Sequence, residues 1–67
     1  MDIRKRLGSN LRKLREARGL SQEAFAHEAN IHRTYVSDIE RGARNPTIMI
    51  VEKLATFLNV SAGDLLD

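Results

Sequence analysis

The sequence predicts an all-α fold built from five short helices, and three observations lead to this prediction. Apolar residues recur at helical spacing, most clearly in Ile3, Leu7, Leu11 and Leu14. Polar residues that favour helix starts stand between the periodic segments. No segment has the strict alternation of apolar and polar residues that is typical of a half-buried strand. Helices packed on helices are therefore the expected architecture.

The five helices are predicted at residues 2–18, 21–29, 32–41, 47–58 and 61–66. Ser21, Thr47 and Ser61 are good N-caps, because a side-chain hydroxyl can accept a hydrogen bond from a free backbone N–H of the first turn. Gly19 and Gly42 follow the last periodic residue of the first and third helices, where glycine commonly ends a helix. The boundaries of all five helices thus follow from local signals.

The composition limits the classes of protein that fit the chain. With 67 residues we expect one domain over residues 1–67. The chain includes no cysteine, so we expect neither disulfides nor a thiolate metal site. No apolar run approaches the roughly 18 residues that span a membrane, and no signal-peptide pattern opens the chain, so we expect a cytoplasmic protein with no membrane partner. So short a chain has few layers from which to build a catalytic cleft, and we expect no enzyme activity.

The net charge of +2 is unevenly distributed along the chain. Residues 1–20 have a net charge of +5, whereas residues 21–46 have −1 and residues 47–67 have −2. A basic first part favours a polyanion that meets one face of the fold, as nucleic acid would. An ordinary solvated helix surface explains the same charges, so charge alone leaves both interpretations open.

The second and third predicted helices form the informative pair. Residues 21–29 and 32–41 are separated only by the turn Asn30-Ile31, and Ala26 provides a small side chain where two steeply crossed helices need one. This spacing is typical of a helix-turn-helix, whose second helix lies in the DNA major groove. A plain helical hairpin with a short turn is the alternative.

The third helix is predicted to divide into an inner and an outer face. Val36 and Ile39 point inward at helical spacing. Donors, acceptors and a methyl group suited to base edges then face outward, with Tyr35 at the margin. These outward residues are His32, Arg33, Thr34, Ser37 and Asp38.

Several short runs together resemble the Cro/C1-type (XRE-like) helix-turn-helix family of bacterial and phage repressors. The runs are Leu11-Arg12-Lys13-Leu14-Arg15, Gly19-Leu20-Ser21-Gln22, Phe25-Ala26, Ser37-Asp38-Ile39-Glu40-Arg41-Gly42 and Asn45-Pro46-Thr47. Within that family, residues 31–45 are especially similar to the controller proteins of restriction–modification systems. The resemblance covers nearly the whole chain and implies a lambda-repressor-like domain that binds double-stranded DNA and regulates transcription.

The resemblance also implies roles for individual positions. The implied base contacts are Arg33, Thr34, Tyr35 and Ser37. The implied phosphate contacts are Ser21, Gln22, His32, Arg41, Arg44 and Asn45. A buried ion pair between Arg15 and Glu40 is implied to join the first helix to the recognition helix, and two solvated surface charges are the alternative. The chain departs from many relatives at Asn30, where glycine is common, but asparagine also tolerates the conformation of a tight turn.

The fourth predicted helix has more apolar residues than one helix face can bury. Ile48, Met49, Ile50 and Val51 are consecutive and therefore sweep most of a turn. We expect the surplus to be covered by a second copy of the chain in a symmetric homodimer. The predicted contacts are Ile48, Met49, Ile50, Leu65 and Leu66. One or two tolerated surface residues would be the simpler explanation.

An enzyme, with or without a metal site, is one alternative to DNA binding. His27 and His32 are five residues apart across a turn, so they do not form the i,i+4 metal pair of a helix. No metal, cofactor or small-molecule ligand is expected. A protein-interaction module on the same fold, such as an antitoxin or an anti-repressor, stays open as the alternative function.

Overall fold

The computed structural model describes residues 2–67, and the regular structure within that range consists of five α-helices. They are α1 (Ile3–Ala17), α2 (Gln22–Ala29), α3 (Arg33–Glu40), α4 (Ile48–Leu58) and α5 (Ala62–Leu66). The predicted all-α class and the number of helices are confirmed. None of the helices in the described range is long and apolar enough to cross a membrane.

The helix starts follow from capping side chains. The hydroxyls of Ser21, Thr47 and Ser61 each accept a hydrogen bond from the backbone N–H three residues on, at 3.0–3.2 Å. The Asp2 carboxylate caps α1 by accepting from the Arg4 N–H at 2.7 Å. The capping residues lie just outside the helices, and the observed helices therefore begin one residue later than predicted.

Two of the turns are made by asparagines in the left-handed conformation. Asn30 has φ 59° and ends α2, and Asn59 has φ 59° and ends α4. Asparagine adopts this region more readily than other residues with a side chain. The expectation that Asn30 can make the turn between α2 and α3 is confirmed.

The core lies where α1, α2, α3, α4 and α5 meet. The Phe25 ring packs edge-on against the Phe57 ring, with centroids 5.1 Å apart. Burial of such apolar side chains is the main stabilising contribution to a domain of this size. The largest fully buried side chains are Phe25, Leu11, Ile39, Leu54, Leu65 and Val36.

Helices α1 and α3 approach each other closely at a glycine. A Cβ built on Gly8 would meet the carbonyl oxygen of Ile39 and would lie 2.7 Å from that of Glu40. Both neighbours are backbone atoms, which cannot rotate away. Gly8 therefore permits the short distance between α1 and the last turn of α3.

Helix α5 is fastened to α1 by two side chains. Arg6 Nε donates to the Leu66 carbonyl at 2.8 Å, and Asn10 Nδ2 donates to the Leu65 carbonyl at 2.9 Å. These bonds satisfy carbonyls at the end of α5 that have no partner within the helix. The first and last helices of the described chain are thereby packed side by side.

The structure corrects two assignments of apolar residues. Leu65 is fully buried in the chain's own core, so it has no surface to offer a second copy, and its assignment to the dimer contact is wrong. A helix of five residues has too little periodicity to show which of two adjacent leucines points inward. Ile3 was predicted on the inner stripe of α1, but 52% of it is exposed because it lies in the first turn, at the edge of the packed region.

Candidate nucleic-acid interface

The second and third helices form a tight pair around a buried alanine. Ala26 is buried against the crossing helix, and its carbonyl accepts a hydrogen bond from the Ile31 N–H at 2.9 Å, which closes the turn. Val36 and Ile39 hold the inner face of α3 in the core. The opposite face of α3 is left outside, as a recognition helix requires.

The N-terminus of α3 is capped by His32. Its Nδ1 accepts a hydrogen bond from the Thr34 N–H at 3.1 Å. The sequence placed His32 on the outer face and near a phosphate but did not predict this cap, because the residues known as good caps are serine, threonine, aspartate and asparagine. Its position directly before the helix was the available signal.

Arg15 and Glu40, the pair implied by the resemblance, are joined by two hydrogen bonds. Arg15 Nε lies 2.7 Å from Glu40 Oε2, and Arg15 Nη2 lies 3.0 Å from Glu40 Oε1. Only 4% of the Glu40 side chain is exposed. A forked guanidinium–carboxylate pair of this kind fixes the orientation of both helices as well as their distance.

Two further groups complete this buried network. Gln22 Nε2 donates to Glu40 Oε1 at 3.1 Å, and Arg15 Nη1 donates to the Leu20 carbonyl at 2.7 Å. The hydrogen bond to Glu40 raises the pKa of Arg15 above its usual value. The network thus ties α1, the start of α2 and the end of α3 together, with Gln22 bound to α3 through Glu40.

A second carboxylate of α3 holds two arginines on the outside. Asp38 Oδ2 accepts from Arg44 Nη2 at 3.0 Å, and Asp38 Oδ1 accepts from Arg41 Nη2. The Arg44 guanidinium also lies over the Tyr35 ring, 4.6 Å from its centroid. Hydrogen bonds from Arg44 and Arg41 lower the pKa of Asp38. Asp38 therefore connects Arg41 with Arg44 and, through Arg44, with Tyr35, whereas the sequence had placed Asp38 on the outer face without a specific contact.

The remaining predicted contacts differ in accessibility. Arg33 is exposed and lies 3.7 Å from the Glu23 carboxylate across the turn, and Thr34 and Asn45 are exposed. Ser37 is half-buried. The Ser21 hydroxyl is exposed but already accepts the capping hydrogen bond, which leaves its own proton for a further acceptor.

Comparisons with known proteins agree with this geometry. The Helix-turn-helix family model matches residues 11–65. The control protein C.BamHI of Bacillus amyloliquefaciens is 45% identical over 67 residues, covering 98% of this chain and 83% of that protein. The chain belongs to the Cro/C1-type helix-turn-helix family. Members of this family are DNA-binding transcription regulators.

Two solved structures in the family superpose closely on the chain. The restriction-modification controller protein C.AhdI from Aeromonas hydrophila has a TM-score of 0.86 and 42% identity, over 92% of this chain and 94% of that one. The regulator SinR, known from Bacillus subtilis, was solved in complex with DNA. That structure has a TM-score of 0.85 and 35% identity, over 91% of this chain and 98% of that one.

On this helix-turn-helix fold, an apolar groove of about 500 Å³ opens between α1, α4 and α5. Ile48 is 85% exposed and Met49 is 77% exposed, and both line the groove together with Ile3 and Leu66. Ile50, also assigned to a dimer contact, is half-buried and packs against the core. The sequence predicted the surplus of apolar residues on α4 and missed the contribution of Ile3.

Several charged residues lie close to a residue of opposite charge. Of the basic residues in the first part of the chain, Arg4 lies 2.8 Å from Asp2 and Arg12 lies 3.2 Å from Glu16. Within residues 2–67 no three or more His, Asp or Glu side chains are grouped so that they could hold a metal ion. Arg33, Arg41 and Arg44 around α3 also lie near carboxylates, but their side chains are exposed and extend into solvent next to the outer face of that helix.

Proposed function

We propose that the chain is a sequence-specific regulator that binds double-stranded DNA as a homodimer on a pseudo-palindromic operator. The observation that supports this most is the division of α3, with Val36 and Ile39 buried and Arg33 and Thr34 exposed. The likeness to a DNA-bound regulator adds to it. Inserting an exposed helix face into the major groove is the mode of reading that this fold permits.

The base contacts are proposed on the exposed face of α3. The Arg33 guanidinium can fork onto N7 and O6 of guanine, and the Thr34 methyl can contact a thymine methyl. Tyr35 and Ser37 lie at the margin of this face, where they reach bases or the groove edge. The Arg33–Glu23 contact is long and exposed, so breaking it should cost little free energy when Arg33 turns from Glu23 to a guanine.

The phosphate contacts are proposed on both sides of α3. Arg41, Arg44 and Asn45 lie in or next to the loop that follows the helix, and Gln22 lies at the N-terminus of α2. Backbone N–H groups at that helix start favour an anion. Ser21 and His32 are exposed directly before α2 and α3. Phosphate contacts of this kind fix the register on DNA.

The homodimer is proposed to form over the apolar groove. Exposed apolar patches with several large side chains commonly mark protein–protein contacts. A two-fold dimer places two recognition helices about 34–36 Å apart, one turn of DNA. Sedimentation should show dimers at micromolar concentration, and a monomer that persists at high micromolar concentration would remove this part of the proposal.

The target is proposed to include the regulator's own promoter, by analogy with the control proteins that the chain resembles. The activity would then follow protein concentration through dimerisation. Selection of bound fragments from random duplex DNA tests the central proposal. A palindromic consensus is expected. No enrichment over background would contradict DNA reading and favour the protein-interaction module.

A further inference from the structure

We propose that Asp38 is a positioning residue that sets the discrimination between specific and non-specific DNA. Its carboxylate holds Arg41 and Arg44 in the directions from which they reach phosphates, and its charge offsets part of their attraction for any polyanion. This inference rests on the proposed function, because it requires that both arginines face DNA.

Arg41 and Arg44 bind different oxygens of the Asp38 carboxylate. Asp38 Oδ1 accepts from Arg41 and Asp38 Oδ2 accepts from Arg44, so the two do not compete for one oxygen. The Asp38 side chain is only 19% exposed, whereas both arginines are exposed. The less mobile Asp38 carboxylate thus restricts the ends of two long, exposed side chains.

Both arginines keep most of their hydrogen-bonding capacity. A guanidinium has five N–H donors, and the recorded bond to Asp38 uses one Nη2 of each. The stacking of Arg44 over Tyr35 fixes the plane of that guanidinium as well. Phosphate can therefore be bound without breaking the bonds to Asp38, and an ordered Arg44 loses less conformational entropy on binding.

The charge of Asp38 acts in the opposite sense on non-specific DNA. Non-specific affinity comes almost entirely from phosphate neutralisation. Asp38 is ionised at neutral pH, as aspartates ordinarily are, so the three groups have one net positive charge instead of two. Asp38 therefore disfavours indiscriminate binding while it orders the contacts of the specific complex.

The test compares Asp38→Asn with the wild-type chain on two duplexes, one enriched by selection and one with the same bases shuffled. For Asp38→Asn we expect binding to the shuffled duplex about fivefold tighter and a salt slope steeper by up to about one unit, since one more positive charge faces the phosphates. The ratio of specific to non-specific affinity should fall about five- to tenfold. Asp38→Glu, which keeps the charge, should restore most of the ratio.

Glu28→Gln is the matched control. It makes the same change of net charge at an exposed carboxylate on α2, and its specificity ratio should stay within about twofold of wild type. A measurement without DNA is added, namely the mobility of the Nε–H groups of Arg41 and Arg44 by heteronuclear NMR. Both groups should become more mobile in Asp38→Asn while the thermal unfolding curve stays close to wild type.

The outcomes separate the two proposals. If wild type discriminates between the duplexes but Asp38→Asn keeps the same ratio and salt slope, the role of Asp38 is overturned and the proposed function stands. Unchanged mobility of Arg41 and Arg44 in Asp38→Asn would overturn the positioning role in the same way. If wild type binds neither duplex, the proposed function fails, and the role of Asp38 fails with it.

Discussion

The two sides of α3 hold arginines under opposite conditions. On the side facing α1, Glu40 is almost fully buried and binds Arg15 within the chain. On the other side, Asp38 is partly exposed and binds two arginines that face solvent. The buried pair fixes the position of α3 in the fold. The exposed pairs affect the proposed contacts of α3 with DNA.

Stability and recognition are therefore expected to depend on separate residues of one short helix. Substitutions on the inner side should change unfolding and leave sequence preference intact. Substitutions on the outer side should do the reverse, because exposed ion pairs contribute little to stability.

The largest effect is expected for Glu40→Ala. The change leaves the Arg15 guanidinium buried without its carboxylate and should cost about 3–5 kcal/mol of unfolding free energy. For a domain of this size the midpoint of thermal unfolding should fall by at least about 12 °C. Circular dichroism melting measures this directly, and an unchanged curve would show that the pair does not hold α3.

The double variant Arg15→Met/Glu40→Leu is the control for that measurement. It removes both charges and replaces them with apolar side chains, so no buried charge is left unpaired, and the loss should be much smaller. An equal loss in the double variant would assign the effect to packing and not to the missing partner.

Gly8→Ala should have the next largest effect on stability. Alanine favours helix over glycine by up to about 1 kcal/mol, but its Cβ would strike the backbone carbonyls of Ile39 and Glu40. The helices must separate, and a net loss of about 1–3 kcal/mol is expected from urea unfolding. Gly63→Ala is the matched control, because its Cβ meets nothing closer than 3.6 Å and should leave stability equal or higher.

Arg33→Ala should change recognition and leave stability nearly unaltered. The loss is expected to be about 1–3 kcal/mol of binding free energy, with a relaxed preference at one base pair in each half-site. Repeating the selection with the variant measures the preference. A variant that keeps the wild-type consensus would refute the assignment of Arg33 to a base.

Arg44→Ala provides the contrast on the same side of the molecule. All sequences should be bound more weakly by a similar factor, and the salt slope should be shallower by about one unit. Affinity measured against salt concentration checks this. Loss of preference at a single base pair would instead place Arg44 among the base contacts.

The smallest effect is expected at Asp2, the exposed N-cap of α1. Hydrogen bonds from the Arg4 side chain and backbone lower the pKa of Asp2 to about 2, from about 4 in an unfolded chain. Its stabilising contribution is therefore fully present above about pH 4 and is lost as the pH falls toward 2. The difference in unfolding free energy between wild type and Asp2→Ala, measured with urea, should become smaller as the pH falls from about 4 to about 2. A difference that does not change with pH would show that the ionised carboxylate is not the stabilising form.

The sequence predicted those parts of the fold that depend on neighbouring residues. Ser21, Thr47 and Ser61 cap helices through atoms three residues away, and Asn30 makes its turn by its own φ. The spacing of Val36 and Ile39 correctly predicted the buried face of α3. Such features were predictable because each follows from geometry within one or two helical turns.

The rest depended on distances that no local pattern contains. Arg44 reaches Asp38 six residues back because the chain turns through the left-handed Gly42, φ 73°, and not because of helical spacing. The pairing of Arg15 with Glu40 came from the family resemblance alone. The predictions for Leu65 and Ile3 were wrong. Whether each side chain is buried depends on how α1 packs against α5, which the local sequence does not show.

The hydrogen bonds from α1 to the end of α5 bear on how the chain folds as it is made. Arg6 and Asn10 find their partners 60 and 55 residues later, so α1 cannot complete this contact until α5 has left the ribosome. Until then the corresponding side of α1 has no α5 to pack against. The buried place of Leu65 is filled only after nearly the whole chain has been made.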